Sequence, residues 1–511
     1  MKPELDETNK NNQMQKKSVI EKSQILCMKK LLFRKNRHLV LLFLTACLAM
    51  SFVSAQTQET RILIVHLRGL TESKISLIPL SGARAFKPLR DASIQKDMET
   101  TFIVVPKDYV PGEFTIQFES KSGYSDKVST SNRNVFINNQ DLEVWINPRY
   151  AEIPDSTRFQ EGESENTAFA RFTVQNEKTK MQLFILRDFL VNYDAKTSAF
   201  YRKGLKEYKQ QRLAYNQWLH EIEKSDKELF VSCIYKLHYI PEMLFDGTET
   251  EKTIDVIQHY FDGISFQDTL LIRTTEMTKW MDAYVNLHGR LITSMGLRDS
   301  VLTAAAQGAI EKARAGHPLV YGWMVDYFYR GFESNQILSG VKVLEQYTKD
   351  PNCLTSKRLQ IDKRLRGMQT LIEGTIAPNI VLNDADGNLF DLNNFQTGGE
   401  GRMLLFFYTA GCSHCNDLIN ELKPWYDGQT PLQRPEIVAV SLDDNDADIK
   451  SWNQLIQLLP GWKHLRADGI NSRVANDYYL LSTPVMILLD SRTKEILALP
   501  ASFSELTNMD K

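Results

Sequence analysis

The spacing of apolar residues changes twice along this chain of 511 residues, and that change limits its possible folds more than any other feature. Apolar residues recur at period two from Thr60 to about Pro148 and at helical spacing from about Phe169 to Met368, and from about Gly374 strand-like runs alternate with helical ones. Because the two periods specify different elements and a domain takes about 150 residues, we predict three domains. The predicted fold class is multidomain: an N-terminal β-sandwich, a central all-α domain and a C-terminal α/β domain.

Composition and charge exclude several classes of protein. Hydrophobic residues make up 42% of the chain and charged residues 24%, which excludes a disordered or fibrous chain. Lys and Arg number 61 against 63 Asp and Glu, so the charge gives no reason to expect a nucleic-acid partner. The mean hydropathy of -0.33 excludes a polytopic membrane protein. Six cysteines are too few for a disulfide scaffold in a chain of this length.

The N-terminus has the pattern of a secretory signal. Residues 1–27 are polar without apolar periodicity, and we predict that they are a non-native extension. A basic stretch, an apolar run from Leu39 to Val53 and the small-x-small sequence Val53-Ser54-Ala55 follow, so we predict a signal peptide over residues 28–55.

A lipoprotein signal is the alternative. Leu44-Thr45-Ala46-Cys47 resembles a lipobox, although apolar residues follow Cys47 directly. We expect a location in the periplasm or cell envelope, with membrane contact only if Cys47 is lipidated or the signal is uncleaved. Disulfides persist in such a compartment. Cleavage after Ala55 would leave four cysteines: Cys233, Cys353, Cys412 and Cys415.

Residues 56–150 are predicted to form the antiparallel β-sandwich. Phe114, Ile116 and Phe118 alternate with polar residues, and Leu142, Val144 and Ile146 do the same. Asn138-Asn139-Gln140 between two strand-like stretches indicates a hairpin turn. No chemical motif lies in this segment, which favours a structural or docking role.

Residues 155–370 are predicted to form the helical domain. One stripe at helical spacing comprises Leu205, Tyr208, Tyr215, Trp218 and Ile222, and such aromatic stripes are typical of a core. Cys233 and Cys353 have no neighbouring thiol in the sequence, so we expect buried small side chains. A disulfide between them stays open.

The motif that carries chemistry is Gly411-Cys412-Ser413-His414-Cys415. It lies between the strand-like run Met403–Tyr408 and a helical pattern, and further strand-like runs are Ile437–Val440 and Val485–Leu489. A zinc site would need a second thiol pair, and Asn416 in place of His excludes a haem-attachment signature. A strand–Cys-x-x-Cys–helix arrangement indicates a redox dithiol.

The two thiols are predicted to have different roles. Cys412 at the helix N-terminus is the expected nucleophile, since the positive end of the helix dipole stabilises a thiolate. Cys415, one turn inward, is expected to resolve the mixed disulfide. His414 is expected to tune the thiolate; the alternative is an exposed side chain without an electrostatic part.

A second motif, Ser482-Thr483-Pro484, precedes the last of these strand-like runs. Together with Cys412–Cys415, Ile376–Leu382 and Asp386-Gly387-Asn388, it makes the segment 374–511 resemble the thioredoxin superfamily, and within it the TlpA/ResA-like envelope oxidoreductases. The resemblance implies a thioredoxin-like fold, a cis bond before Pro484, and substrate binding by Thr483 and Pro484. The upstream segments are similar to the helical and N-terminal domains that accompany such modules.

Three positions depart from the thioredoxin pattern. Gly411 stands where Trp is usual, and Phe406 stands where thioredoxin has a buried carboxylate, so proton removal from Cys415 needs another group or water. Pro424 should kink or end the helix after the dithiol. The tail after Ala501 has room for a short helix only.

The acidic run Asp443–Asp448 invites a calcium interpretation. The sixth position of such a loop would be Ile449 rather than Gly, so an EF-hand fails. A solvated turn that caps the helix entering at Ile449 is the preferred interpretation.

We expect an exported thiol-disulfide oxidoreductase that uses no cofactor and no metal. Its expected partners are protein or small-molecule thiols and disulfides and an unidentified envelope electron donor or acceptor, with no nucleic acid. The direction stays open, because the compartment and His414 favour oxidation whereas the resemblance favours reduction. One alternative is a non-catalytic envelope interaction protein with a degenerate thioredoxin module, motivated by Gly411 and Phe406. The other is a thiol peroxidase, since the strands before the dithiol also resemble those of peroxiredoxins.

Overall fold

The structure is a computed structural model that describes residues 60–508 except for 70–71, 83–84, 90–92, 97–98, 123–124, 154–155, 397–400 and 431–433. The predicted extension, the signal peptide and Cys47 lie outside the described residues. Within those ranges no helix combines the length and the apolar character needed to cross a membrane.

Strands dominate the N-terminal part of the described chain. Their bounds are β1 Arg61–Leu67, β2 Glu72–Pro79, β3 Ser93–Lys96, β4 Thr100–Val105, β5 Gly112–Ser122, β6 Ser125–Ile137, β7 Leu142–Ile146 and β8 Thr157–Phe159. They form two four-stranded sheets with the orders β4-β1-β7-β8 and β3-β2-β5-β6. The β1–β7 pair is parallel, so the predicted antiparallel arrangement is wrong at this pair. The other pairs of these two sheets are antiparallel.

Alternate residues of both sheets are buried in one apolar core. Phe114, Ile116 and Phe118 are buried in it, as their period-two spacing predicts. The predicted hairpin at Asn138-Asn139-Gln140 is wrong, because β6 and β7 on either side of it belong to different sheets. A polar turn composition marks where a strand ends but does not specify which strand it pairs with. The strand β8 pairs with β7, so the strand region reaches past the predicted boundary at 150 and into the predicted helical segment 155–370.

The middle of the chain is helical. Its helices are α1 Glu165–Asn192, α2 Ala199–Ser225, α3 Ser232–Tyr235, α4 Glu249–Gln258, α5 Thr275–Gly289, α6 Met295–Arg314, α7 Pro318–Ser334, α8 Leu338–Thr348 and α9 Arg358–Thr370. The predicted aromatic stripe on α2 is confirmed. Tyr208 and Tyr215 are buried, and Leu205, Trp218 and Ile222 pack against the same core.

The C-terminal part combines strands and helices. Its elements are β9 Val381–Asn383, β10 Leu389–Asp391, β11 Arg402–Tyr408, α10 Ser413–Gly428, β12 Glu436–Ser441, α11 Asp446–Leu455, β13 Lys463–Arg466, α12 Arg473–Asp477, β14 Val485–Asp490, β15 Ile496–Ala498 and α13 Phe503–Asn508. Five strands form a mixed sheet with the order β13-β12-β11-β14-β15. β11 lies at its centre, parallel to β12 and antiparallel to β14.

Apolar clusters cover both faces of this sheet, as the alternation of strands and helices predicts. Leu405 and Phe407 of β11 point into one cluster, and Leu404, Phe406 and Tyr408 point into the other. Period-two alternation therefore places Phe406 and Tyr408 on the face covered by α10, beside Cys415.

Two expectations for the helices have different outcomes. The helix α10 contains Pro424 and continues to Gly428, so the proline does not end it. The short final helix is present as α13.

Candidate active site

The turn after β11 places Cys412 at the start of α10. Cys412 is the N-cap residue: its Sγ accepts a hydrogen bond from the backbone N–H of Cys415 at 3.3 Å, and its carbonyl accepts from Asn416 N at 3.0 Å. Its own N–H donates to Thr409 O at 3.2 Å, which closes the turn. A sulfur at this position takes the place that Ser or Asp occupies in ordinary helix caps.

The two thiols differ in exposure. Cys412 is partly exposed, whereas Cys415 is fully buried in the cluster between the sheet and α10. A substrate can therefore approach the first sulfur but not the second.

The thiols also differ in acidity. Burial alone would raise the pKa of Cys412, but hydrogen bonds from the Cys415 thiol, from the backbone of Cys415 and His414 and from Thr483 outweigh it and lower that pKa. Burial, together with the proton shared with Cys412, raises the pKa of Cys415 to about 11. The exposed sulfur is thus the better thiolate, and the buried sulfur holds the proton.

Thr483 and Pro484 lie opposite the exposed sulfur. They precede β14, and the peptide bond between them is cis. Cys412 Sγ lies 3.9 Å from the carbonyl oxygen of Thr483, and the Thr483 hydroxyl lies 3.4 Å from that of Thr409. The antiparallel pairing of β11 with β14 is what brings residues 412 and 483 together.

His414 and Gly411 lie on the exposed side of the dithiol loop. The His414 side chain is exposed, and its contribution to the acidity of Cys412 comes through its backbone. A Cβ at Gly411 would lie 3.3 Å from Oδ1 of Asp448, so the Asp448 carboxylate lies beside the residue that precedes Cys412.

Phe406 is fully buried, and its ring stacks on Tyr408 with centroids 5.2 Å apart. Position 406 therefore has no carboxylate that could take a proton from Cys415, as the sequence predicts. A buried carboxylate follows the neighbouring strand instead: Asp443, two residues after the end of β12, is 1% exposed.

The interpretation of Asp443–Asp448 as a solvated turn is wrong at its first residue. Asn445 caps α11 by accepting a hydrogen bond from Asp448 N at 3.1 Å, as a capping turn should. Asp443 instead turns inward and accepts hydrogen bonds from Ala410 N at 3.1 and 3.2 Å. The sequence signal for it is a carboxylate placed directly beyond a buried strand that neighbours the dithiol strand.

Cys233 and Cys353 do not join this site. Both are buried free thiols in the core of the helical region, so the structure shows no disulfide between them. Burial raises the pKa of Cys233 well above its ordinary value and that of Cys353 to about 11. Among the described residues, no cluster of three or more His, Cys, Asp or Glu side chains could hold a metal ion.

Several known proteins are similar to this chain. Residues 402–495 match a family model described as thioredoxin-like. A thioredoxin-like protein from Bacteroides caccae is 17% identical, with 53% of this chain and 95% of that chain covered and a TM-score of 0.34. A thiol:disulfide interchange protein from Bacteroides sp. is 27% identical, with 28% and 89% covered and a TM-score of 0.24. A thiol-disulfide oxidoreductase from Bacteroides fragilis is 23% identical, with 26% and 96% covered and a TM-score of 0.23.

No curated protein matches the chain. The family match falls on β11, the dithiol loop, α10 and β14, the elements that build the site. Residues 402–495 of this chain are therefore similar to the thioredoxin-like family.

Proposed function

We propose that this protein is a thiol-disulfide oxidoreductase with Cys412 as nucleophile and Cys415 as resolving thiol. The observation that carries the proposal is the asymmetry of the pair. The partly exposed sulfur caps a helix and has a lowered pKa, whereas the buried one has a raised pKa. This asymmetry suits a thiol that attacks from outside and a second thiol that closes the ring afterwards.

The reaction begins when the Cys412 thiolate attacks one sulfur of a substrate disulfide. A new bond forms between Cys412 Sγ and that sulfur, the substrate disulfide breaks, and the other substrate sulfur leaves as a thiolate. Cys415 then attacks Cys412 Sγ, which releases the second substrate thiolate and leaves the Cys412–Cys415 disulfide. The substrate gains two electrons and the protein loses two. The reverse sequence oxidises a substrate dithiol.

Thr483 and Pro484 are proposed to hold the substrate beside Cys412. The Thr483 carbonyl already lies 3.9 Å from the sulfur, and the backbone on that side can pair with an extended peptide. His414, exposed beside the loop, is proposed to tune the Cys412 thiolate, in part through the hydrogen bond from its backbone to that sulfur.

The other regions are proposed to set the partner and the place. We propose that the two N-terminal sheets form a β-sandwich, since they share one apolar core. A secretory signal at residues 28–55 would place the protein in the periplasm or cell envelope, where its partners would be thiols or disulfides and an envelope electron donor or acceptor. The sequence pattern of the leader supports this placement.

Trapping the intermediate tests the function. In the variant Cys415→Ser the second thiol is missing, so we expect Cys412 to accumulate mixed disulfides with its substrates. Acid quenching of envelope extracts and non-reducing electrophoresis would detect them, with the double variant Cys412→Ser/Cys415→Ser as the matched control.

Two outcomes would contradict the proposal. The absence of mixed disulfides, combined with no turnover of a model disulfide by the unmodified protein, would favour the interaction protein. Consumption of peroxide without disulfide exchange would favour the peroxidase.

A further inference from the structure

The long helix α1 carries apolar side chains on two opposite faces. Leu183 and Leu190 are buried in the core of the helical region. Val174, Met181 and Ile185 recur at steps of seven and four residues on the other face, and all three are exposed, Ile185 by 59%. A helix with one buried face normally has polar residues on the opposite face, so this exposed apolar stripe indicates a further contact.

The neighbouring helix α2 continues this surface. Ile185 lines one open, shallow groove together with Phe200, Lys203 and Lys206 of α2. The Phe200 ring is 63% exposed. Gly204 allows the two helices to approach closely here, since a Cβ at this position would overlap a phenylalanine ring of α1. We define the hairpin surface by the following residues: Val174, Met181, Ile185, Phe200, Lys203 and Lys206.

Cations border the apolar side chains of the hairpin surface. Lys203 and Lys206 are exposed, and within the described part of the chain neither forms an ion pair. The acid in the same groove, Glu207, accepts a hydrogen bond from Gln211 at 2.7 Å. The hairpin surface therefore combines exposed apolar area with a local excess of positive charge, and a complementary partner combines apolar area with negative charge.

We propose that the hairpin surface binds the surface of a membrane that contains anionic phospholipids. The apolar side chains would enter the boundary between headgroups and acyl chains, while Lys203 and Lys206 would contact the lipid phosphates. Such binding is peripheral, so it needs neither a membrane-spanning helix nor a lipid on Cys47. It is also independent of the dithiol reaction, and either proposal can fail alone.

Two properties favour a bilayer over a protein partner. Ile185 and Phe200 project from an open groove, which offers no enclosed pocket for the anchor side chains typical of protein interfaces. A second copy of this chain would bring two sets of the same unpaired lysines into one interface, because a two-fold interface joins identical surfaces. An anionic bilayer has neither disadvantage.

Vesicle binding tests the proposal with protein purified from the envelope fraction. The unmodified protein should co-sediment with vesicles made of equal parts phosphatidylcholine and phosphatidylglycerol, and this binding should weaken as the salt concentration rises. Vesicles of phosphatidylcholine alone should bind it at least about tenfold more weakly, because the attraction between the lysines and anionic headgroups is missing.

Two double variants separate the apolar and the charged contributions. Ile185→Ser/Phe200→Ser should weaken binding to the anionic vesicles at least about tenfold, since burial of apolar area drives interfacial binding. Lys203→Gln/Lys206→Gln should weaken it at least about tenfold too, but should leave binding to phosphatidylcholine within about twofold. The matched control Leu359→Ser changes an apolar side chain of α9 that is 82% exposed, and it should leave vesicle binding unchanged.

Two further measurements locate the contact and verify the fold. On anionic vesicles, hydrogen exchange should slow in residues 181–206 and stay unchanged in α9. Turnover of a model disulfide should stay within about twofold in every variant, because the substitutions are confined to the surface of the helical region. A loss of turnover in the unmodified protein would contradict the proposed function and not the membrane contact.

Three outcomes overturn the membrane proposal. The first is the absence of binding to anionic vesicles by the unmodified protein. The second is equal binding by the unmodified protein and both double variants, which would place the contact elsewhere in the chain. The third is self-association that both variants abolish, without vesicle binding, which would assign the surface to a second copy. Because Lys203 and Lys206 are exposed, their variant decides the question even if Ile185→Ser/Phe200→Ser does not fold.

Discussion

The helical region and the thioredoxin-like domain each contain two cysteines, and their environments differ. Cys233 and Cys353 lie separately in an apolar core, and burial raises the pKa of each. Cys415 is buried in the same way and has a similarly raised pKa. Cys412 alone of the four has a lowered pKa, because it caps a helix and receives hydrogen bonds from a second thiol. The acidity of each thiol therefore follows from its surroundings, the helix terminus and the neighbouring thiol, rather than from residue type.

The largest expected effect concerns turnover. Cys412→Ser should reduce the turnover of a model disulfide at least about 100-fold, because the attacking sulfur is lost. Cys353→Ala, the matched removal of a lone buried thiol, should leave turnover within about twofold. An insulin reduction assay would measure both, and equal losses in the two variants would contradict the distinction between the two regions.

Alkylation sharpens the same comparison. At neutral pH, iodoacetamide should modify Cys412 at least about tenfold faster than the cysteine of an unfolded peptide, once the rate is corrected for the partial burial of Cys412. The reason is that the lowered pKa of Cys412 increases the fraction of this thiol that is ionised. Cys233 and Cys353 should react only after denaturant unfolds the chain, because both are buried and protonated. Mass spectrometry of quenched samples would rank the sites. Labelling of Cys233 at the rate of Cys412 in the native protein would be inconsistent with the structure.

Two glycines of α7 test whether the regions are independent. A Cβ at Gly322 would overlap the backbone of Leu354, so Gly322→Ala should lower the free energy of unfolding by about 1–3 kcal/mol. Gly331 has open space, so Gly331→Ala should raise it by about 0.5–1 kcal/mol. Urea unfolding would measure both, and neither variant should change Cys412 alkylation. A coupled change there would show that the helical region controls the dithiol.

Helices and strands whose apolar residues recur at regular spacing could be predicted from the sequence, whereas the pairing of the strands could not. The stripe on α2 is buried as its spacing indicates, and the three predicted strands of the C-terminal part agree with the observed ones to within one residue at each end. The parallel β1–β7 pair and the assignment of β6 and β7 to different sheets depend on contacts between distant segments. Local spacing carries no information about such partners.

The candidate site divides in the same way. The spacing Cys-x-x-Cys after a strand and before a helix predicts both the pair of thiols and their placement, with the first at the helix N-terminus and the second one turn inward. A helix N-terminus depends only on residues close in the sequence, which is why this prediction was possible. The turn composition of its neighbours Asp444 and Asn445 predicts a solvated Asp443. Its burial follows from the register of β12 against β11, which brings Ala410 N to its carboxylate.

By itself, the sequence determined which segments are strands or helices and that two thiols share the first turn of a helix, because these properties depend on residues a few positions apart. Only the tertiary structure decided that Thr483 faces Cys412, that Tyr408 packs in the same cluster as Cys415, and that Asp443 is buried against Ala410 N. The physical reason is that burial and electrostatic proximity are set by strand pairing across tens of residues, and these two quantities control the acidity of each group.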